Sequence, residues 1–327
     1  MAKQKRKAAS PPAMVAEPEL SLESITWGEM TWVNIEHPSE RETGYLAQHY
    51  PFHPLDLDDC LSRIQRPKID QYRDYLFLVF HFPVFSLEKN VTVPSQMSVF
   101  IGDGYLITLH KGELKPLVKL FRECQLEEES RQEYFGSGPG LLLYRIVDRL
   151  VDYCLPILNK IQENIDDIED GIFSDSMHNA VKEISEVRRD IISFRRIIWP
   201  MRAVIGSLEP KIRRFARVDL TVYFGDTVDH LDKIWDGLDE YKEIIEGLHT
   251  THDSIVSNRG NEILKVLTIL ATIGTVLTVV ASFYGMNVDL PGGSSPGGNP
   301  YSWLILLVVM LLLMGGMLFY FHRKHWL

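Results

Sequence analysis

Two stretches without a single charged residue, Val266–Tyr284 and Tyr301–Phe321, constrain this chain more than any other feature. A helix rises 1.5 Å per residue, so about 20 apolar residues span the roughly 30 Å hydrocarbon core of a bilayer. Both stretches have that length and read as transmembrane helices; the buried hairpin of a soluble protein rarely runs so long without a charge. The flanks orient them. Arg259 and Lys265 precede the first stretch, and His322, Arg323, Lys324 and His325 follow the second, while Gly285–Pro300 between them contains no Lys or Arg. Positive flanks mark the cytoplasmic side. The reading is an integral protein of the cell (inner) membrane with two spans, both termini cytoplasmic, and a short external loop.

Two spans per chain cannot enclose a water-filled path, so conduction would need a closed ring of copies. The first span carries a suitable stripe. Asn261, Thr268, Thr275 and Ser282 recur every seven residues, and Leu264, Ala271 and Thr278 interleave on the same face. Polar and small groups in a spanning helix face other helices or a cavity, because unpaired polar atoms in lipid are costly. A water-filled lumen and tight helix packing through small residues account equally well for the stripe at this point. The second span, with leucines and methionines all round, reads as lipid-facing.

Upstream of the first span no proline occurs between Lys211 and Leu290. Leu231, Ile234, Leu238, Tyr241, Ile245, Leu248 and Ile255 recur there at three- and four-residue steps, with one gap filled by Thr251, the pattern of a helix with an apolar seam. The expected helix starts near Asp219 and runs into the first span, about 100 Å in all at 1.5 Å per residue. Leu141–Phe173 and Asp175–Glu209 read as two more long helices, the second interrupted or ended near Pro200, forming a hairpin around Gly171. Ile25–Ile35, Tyr75–Phe82, Gln96–Ile101 and Tyr105–His110 are rich in β-branched and aromatic residues and read as strands. Gly102-Asp103-Gly104 is a hairpin turn signal, helices are expected near Glu40–His49, Leu55–Leu61 and Leu114–Gln125, and Gly136–Gly140 reads as a linker.

The fold class is therefore α+β, organised as a disordered basic tail over 1–20, a cytoplasmic α/β domain over 21–135, a helical hairpin and long stalk helix over 141–262, a pore-lining transmembrane helix 1 over 263–284, an external loop over 285–300, transmembrane helix 2 over 301–321 and a basic cytoplasmic C-terminus over 322–327. Weak attraction to anionic lipid is an alternative role for the tail.

The formal charge is -10. An acidic chain does not suit nucleic acid, whose backbone requires a Lys/Arg surface; it suits cations. Stalk carboxylates such as Asp226, Asp229, Asp232, Asp236, Asp239 and Asp253 read either as a solvated face or as hard oxygen ligands of the kind Mg2+ and Ca2+ prefer. Cys60, Cys124 and Cys154 lie far apart and form no CxxC pair, which fits a reducing compartment and excludes a cysteine-rich zinc site. The sequence has no GxxxxGK[ST], HExxH or GxSxG, so neither an enzyme nor an ATP-driven pump is expected, and nothing calls for an organic cofactor. His249, His252 and Asp253 share a helical face, a polar stalk surface or a soft-metal pair.

Tyr284-Gly285-Met286-Asn287 closes the first span. Gly-Met-Asn at that place, followed by a short loop, a second span and a basic C-terminus, resembles the signature of the CorA family of divalent metal ion transporters. Asn261–Thr272 and Gln65-Arg66-Pro67-Lys68 resemble the family as well, and the likeness covers everything after the tail. It implies a funnel-shaped homopentamer whose first spans line the pore. Gly285, Met286 and Asn287 would form the selectivity filter, Asn261 a polar ring, and Leu264 and Leu267 an apolar girdle able to gate by excluding water. The transported ion would be mainly Mg2+, with Co2+ and Ni2+ as further ions, driven by a membrane potential worth about 4–5 kcal/mol per 100 mV for a 2+ charge. Regulatory Mg2+ held by cytoplasmic acids, with Glu88, Asp226 and Asp253 as candidates, would keep the pore shut. The sequence departs from the family near Thr250, where an acid is common, and after the tripeptide, where Asp289 is the only loop acid. A Zn2+ transporter of the same family is the close alternative, and a two-span sensor or scaffold is the alternative from another class.

Overall fold

The computed structural model of the chain describes residues 20–62, 65–173, 180–286, 301–324 and 326. The chain divides into two compact units, residues 1–248 and 249–327. In the first, β1 (Leu22–Trp27), β2 (Met30–Glu36), β3 (Lys68–Gln71), β4 (Tyr75–Ser86), β5 (Val91–Gly102) and β6 (Tyr105–His110) form one sheet in the order β1-β2-β6-β5-β4-β3. Strands β2 and β6 pair in parallel and the other neighbours antiparallel. Where the sequence suggests one strand over Ile25–Ile35, the chain folds back on itself. Gly28 takes φ +59 and separates β1 from β2, a left-handed conformation open to glycine at no steric cost. The turn from β5 to β6 follows its composition: Gly104 sits at φ +75, and a Cβ there would lie 2.8 Å from the Glu29 carbonyl oxygen.

Helices α1 (Glu40–His49) and α2 (Pro54–Leu61) cover one face of the sheet. A capping box between Ser39 and Glu42 starts α1, satisfying backbone donors that would otherwise be orphaned. Phe77, Val79 and Phe100 pack there with Leu46, Phe52 and Leu57. Helices α3 (Lys115–Leu126), α4 (Glu128–Phe135), α5 (Pro139–Asp152), α6 (Cys154–Phe173) and α7 (Ala180–Gly206) follow. Trp32 meets Phe121 of α3 edge-on at 4.9 Å. The buried Asp190 of α7 accepts the Thr92 N–H at 2.5 Å, and the Ser193 hydroxyl donates to the Thr92 carbonyl at 2.5 Å. Met201 of α7 also meets the His81 N–H of β4, and Tyr75–Phe82 is buried at every position, which explains why it is a continuous apolar run rather than an alternating one.

The helices differ from expectation where prolines act. Leu141–Phe173 is divided at Tyr153 into α5 and α6, because Pro156 has no N–H to bond the Asp152 carbonyl. Helix α7, by contrast, runs through Pro200 to Gly206. Gly171 lies within α6 rather than at a turn, and the turn region 174–179 lies outside the described residues. The linker is shorter than expected, since Pro139 already opens α5, a position its fixed φ suits. After α8 (Glu209–Ile212) and a 3-10 turn (Arg213–Phe215), α9 covers Thr221–Tyr284. The Asp219 carboxylate accepts the Thr221 N–H at 2.9 Å at its start.

In the first unit the apolar seam of α9 is satisfied within the chain. Leu231, Ile234, Leu238, Ile245 and Leu248 are buried, Gly237 meets Leu158 of α6, and the Tyr241 hydroxyl donates to Gln162 at 2.8 Å. In the second unit the remainder of α9 is accompanied by α10 (Ser302–Arg323). Helix α9 contains a stretch long and apolar enough to cross a membrane, and among the described residues α10 has the apolar run Leu307–Arg323.

Candidate pore face and regulatory acids

The second half of α9 has two unlike faces. Ile269 is buried, and Thr272, Ile273, Val276, Leu277 and Val280 are half-buried. Thr272 shares a hollow of about 360 Å³ with Leu312, Leu313, Gly316 and Tyr320 of α10, so α10 covers this side. Asn261, Leu264, Leu267, Thr268, Ala271, Thr275, Thr278 and Ser282 are all exposed, Leu264 at 58% and Leu267 at 60%. At 100° per residue the centre of the stripe Asn261, Leu264, Thr268, Ala271, Thr275, Thr278 and Ser282 lies about 140° around the helix from the face covered by α10.

The hydroxyls on this stripe are not equivalent. Thr268 donates to the Leu264 carbonyl at 2.7 Å and Thr278 to the Gly274 carbonyl at 2.8 Å, the i−4 back-bond that hides a hydroxyl within its own helix. Thr275 and Ser282 have no such bond and no partner among the described residues. They are left for water or for another copy of the chain. At the other end of the stripe Asn261, Leu264 and Thr268 share an open, polar hollow of about 500 Å³ with Asn258, Glu262, Lys265 and Trp326. Asn258 is a lining residue that the heptad reading missed; its position one turn before Asn261 is the signal that would have found it.

The helix ends where the tripeptide begins. Gly285 N–H bonds the Ala281 carbonyl at 2.9 Å, and Met286 N–H reaches the Phe283 carbonyl at 3.5 Å. A Cβ on Gly285 would lie 3.1 Å from the Ala281 oxygen, so the position is tight as well as terminal. Met286, a candidate for the filter, is exposed in the single chain. Asn287, Asp289 and the rest of the loop to Pro300 lie outside the described residues.

The acidic candidates stand apart. Glu88 is exposed in the turn between β4 and β5. Asp226 is exposed on α9 with His230 Nε2 3.9 Å away. Asp253 lies 3.2 Å from His249 Nδ1 and 3.6 Å from the Nδ1 of buried His252. Among the described residues no three His, Cys, Asp or Glu side chains of one chain gather as a metal site. Other stalk acids are already engaged: Asp232 pairs with Arg202 at 2.5 Å, Asp239 pairs with Arg195, and Glu246 lies 3.7 Å from both Arg188 and Lys242. These carboxylates have cationic partners within the chain, which removes them from any count of free ligands.

Residues 27–323 match the family described as CorA-like Mg2+ transporter protein. The chain is 31% identical over 258 residues to YfjQ of Bacillus subtilis, whose name marks it as a candidate metal ion transporter, covering 79% of this chain and 78% of that one. It is 30% identical over 305 residues to the cobalt/magnesium transport protein CorA of Thermotoga maritima, covering 91% of this chain and 83% of the relative. Its fold matches the complete structure of the CorA magnesium transporter from Methanocaldococcus jannaschii with a TM-score of 0.80 at 21% identity, over 94% and 95% of the two chains.

Proposed function

The chain belongs to the family of CorA-like Mg2+ transporter proteins, and on that premise we propose that it forms a passive, potential-driven channel for divalent cations, Mg2+ foremost and Co2+ and Ni2+ in addition. The observation that carries this reading is the bare polar face of α9 opposite α10, with Thr275 and Ser282 hydroxyls that nothing described in the chain satisfies. In a bilayer such a face requires water or another subunit. Five copies in a ring, each with two spans and both termini cytoplasmic, would turn that face inward and α10 outward to lipid.

The physics of the filter follows from the ion. Mg2+ dehydrates reluctantly and prefers to keep its waters. A ring of Asn287 carboxamide oxygens accepts hydrogen bonds from that water shell without displacing it, and Gly285 with Met286 sets where the ring stands. Farther in, Ser282, Thr275 and Asn261 offer hydroxyl and carboxamide groups to the hydrated ion. Leu264 and Leu267 form the narrow apolar girdle, where loss of water closes the path. An inside-negative potential drives entry, about 4–5 kcal/mol per 100 mV for two charges. Closure comes from inside: Mg2+ bound by Glu88, Asp226 and Asp253 in the assembled ring offsets the repulsion between their carboxylates, and its loss lets the subunits separate.

Flux into liposomes with a panel of divalent ions tests this. Mg2+ uptake that rises with an imposed inside-negative potential, falls when that potential is dissipated, and is abolished or strongly impaired by Asn287→Ala, with assembly intact, is the expected result. Zn2+ uptake without Mg2+ uptake would overturn the choice of ion, and normal flux in Asn287→Ala would remove Asn287 from the filter. Asp226→Asn with Asp253→Asn should leave a channel that stays open in high internal Mg2+; unchanged inhibition refutes that assignment.

A further inference from the structure

The Gln65-Arg66-Pro67 segment, singled out in the sequence, has no part in the conduction path. It forms one wall of a cleft of about 740 Å³ in the first unit, whose other walls are α7 and the first part of α9. A volume of this size suits a small organic ligand. Four cationic side chains, Arg66, Arg195, Arg196 and Lys242, line it together with Trp199 and Trp235. In a chain whose acids outnumber its bases, 44 to 34, that concentration of positive charge is local and specific.

The six side chains divide into a scaffold and a free set. Trp235 and Trp199 pack with ring centroids 4.9 Å apart. Arg195 lies 4.5 Å over Trp235 and pairs with Asp239. Arg202, paired with Asp232, lies 5.8 and 5.6 Å from the two indoles. Lys242 has Glu246 at 3.7 Å one turn along. These contacts fix the tryptophan pair and neutralise their own cations. Arg66 and Arg196 are different: neither makes an ion pair or a side-chain hydrogen bond with any described residue. Trp199 remains 60% exposed. The remaining titratable wall group, His81, is buried, which pushes its pKa down and keeps it neutral at pH 7. Pro200 removes the helical hydrogen bond to the Arg196 carbonyl on the same wall.

Two unpaired guanidinium forks beside an exposed indole call for a ligand with a planar ring and a multiply charged anion. An Arg fork binds phosphate oxygens in bidentate fashion, and an indole face stacks on a base whatever its sequence identity. We infer that this cleft binds a nucleoside polyphosphate, with the base stacked on Trp199 and the phosphates held by Arg66 and Arg196. The site is independent of the conduction path and of its ion.

Isothermal titration of the full chain in detergent with ATP, adenosine and inorganic tripolyphosphate, first without and then with saturating Mg2+, tests the inference. ATP is expected to bind with a Kd below about 1 mM, and adenosine and tripolyphosphate each at least about tenfold more weakly. Arg66→Gln with Arg196→Gln should weaken ATP by about tenfold or more and leave adenosine unchanged. Trp199→Leu should weaken ATP and adenosine and leave tripolyphosphate unchanged. Arg196→Lys, which retains the charge and loses the fork, should fall between wild type and the double variant and guards against a folding artefact. Absence of ATP binding, tripolyphosphate binding as tightly as ATP, or unchanged ATP affinity in the double arginine variant would each overturn it.

Discussion

His110 makes the stability of the sheet unit depend on pH in a way that can be worked out from its contacts. The residue is 1% exposed on β6. Its Nε2–H donates to Asn34 Oδ1 at 3.0 Å, and its Nδ1 accepts the Gly112 N–H at 3.0 Å. Asn34 Oδ1 also accepts the Thr108 hydroxyl at 2.7 Å, and Thr108 in turn accepts the Trp32 indole N–H at 3.0 Å. Every member is satisfied only while the imidazole is neutral, because a proton on Nδ1 would face the Gly112 N–H. Burial, reinforced by the neighbouring His37, pushes the pKa down to about 4, against about 6.5 in an unfolded chain. Stability is therefore full above pH 6.5, where neither state is protonated. As pH falls from 6.5 towards 4 the unfolded chain takes the proton and the folded chain does not, so stability is lost at up to about 1.36 kcal/mol per pH unit, about 3 kcal/mol in total. That is a large share of the 5–15 kcal/mol typical of a folded protein. His110→Gln cannot titrate. Urea unfolding of the detergent-solubilised chain, followed by tryptophan emission, should show the variant less stable at pH 7, and the gap to wild type closing by about 3 kcal/mol towards pH 4. Comparing the two proteins cancels the buried carboxylates common to both. A gap that stays constant across this range would refute the reasoning.

Three further outcomes follow from packing and exposure. Phe194→Ala, at a fully buried position of α7, should cost about 3–5 kcal/mol, read as a lower urea midpoint with an unchanged slope. Cys60, Cys124 and Cys154 are buried, and burial pushes the Cys60 and Cys124 thiols up to about 12, so maleimide at pH 7 should label none of the three in the native chain and all three in urea. Thr275→Val removes a hydroxyl without a partner among the described residues. It should lower Mg2+ flux by roughly tenfold at unchanged thermal stability, about one hydrogen bond's worth; loss of stability at unchanged flux would make the stripe a packing surface instead.

The sequence was most legible where a single physical signal dominated. Helix α1 and strand β6 were expected at Glu40–His49 and Tyr105–His110, where the structure has them, because a capping box and a glycine turn define those boundaries locally. It was least legible where a tertiary contact or a lone backbone choice decided the outcome. The four residues of β3 carry no strand pattern of their own; they are held by pairing with β4 and by Lys68, which bridges Asp59 at 2.7 Å and Asp70 at 2.5 Å. The hairpin hidden in Ile25–Ile35 depends on one glycine conformation. Two internal prolines had opposite effects, Pro156 coinciding with a break and Pro200 sitting inside a continuous helix, which composition alone does not distinguish.

The candidate site shows the same division. Heptad spacing identified an apolar seam and a polar stripe along one helix, and the two have different fates. The seam is buried against α6 of its own chain, since Leu158 lies beside Gly237 and Tyr241 bonds Gln162; it therefore cannot also be the surface that joins copies. The stripe is left uncovered by α10, with two hydroxyls that no described residue satisfies. In lipid an uncovered hydroxyl is expensive, whereas in water it costs little. The proposed ring would therefore be joined through the apolar half of α9 rather than through the seam. The acids follow the same rule: Asp232 and Asp239 are neutralised by arginines of their own chain, whereas Glu88 and Asp226 stay exposed and have no Lys or Arg partner among the described residues. In the proposed ring, a carboxylate in that state is one whose pairing neighbouring copies and bound ions would determine.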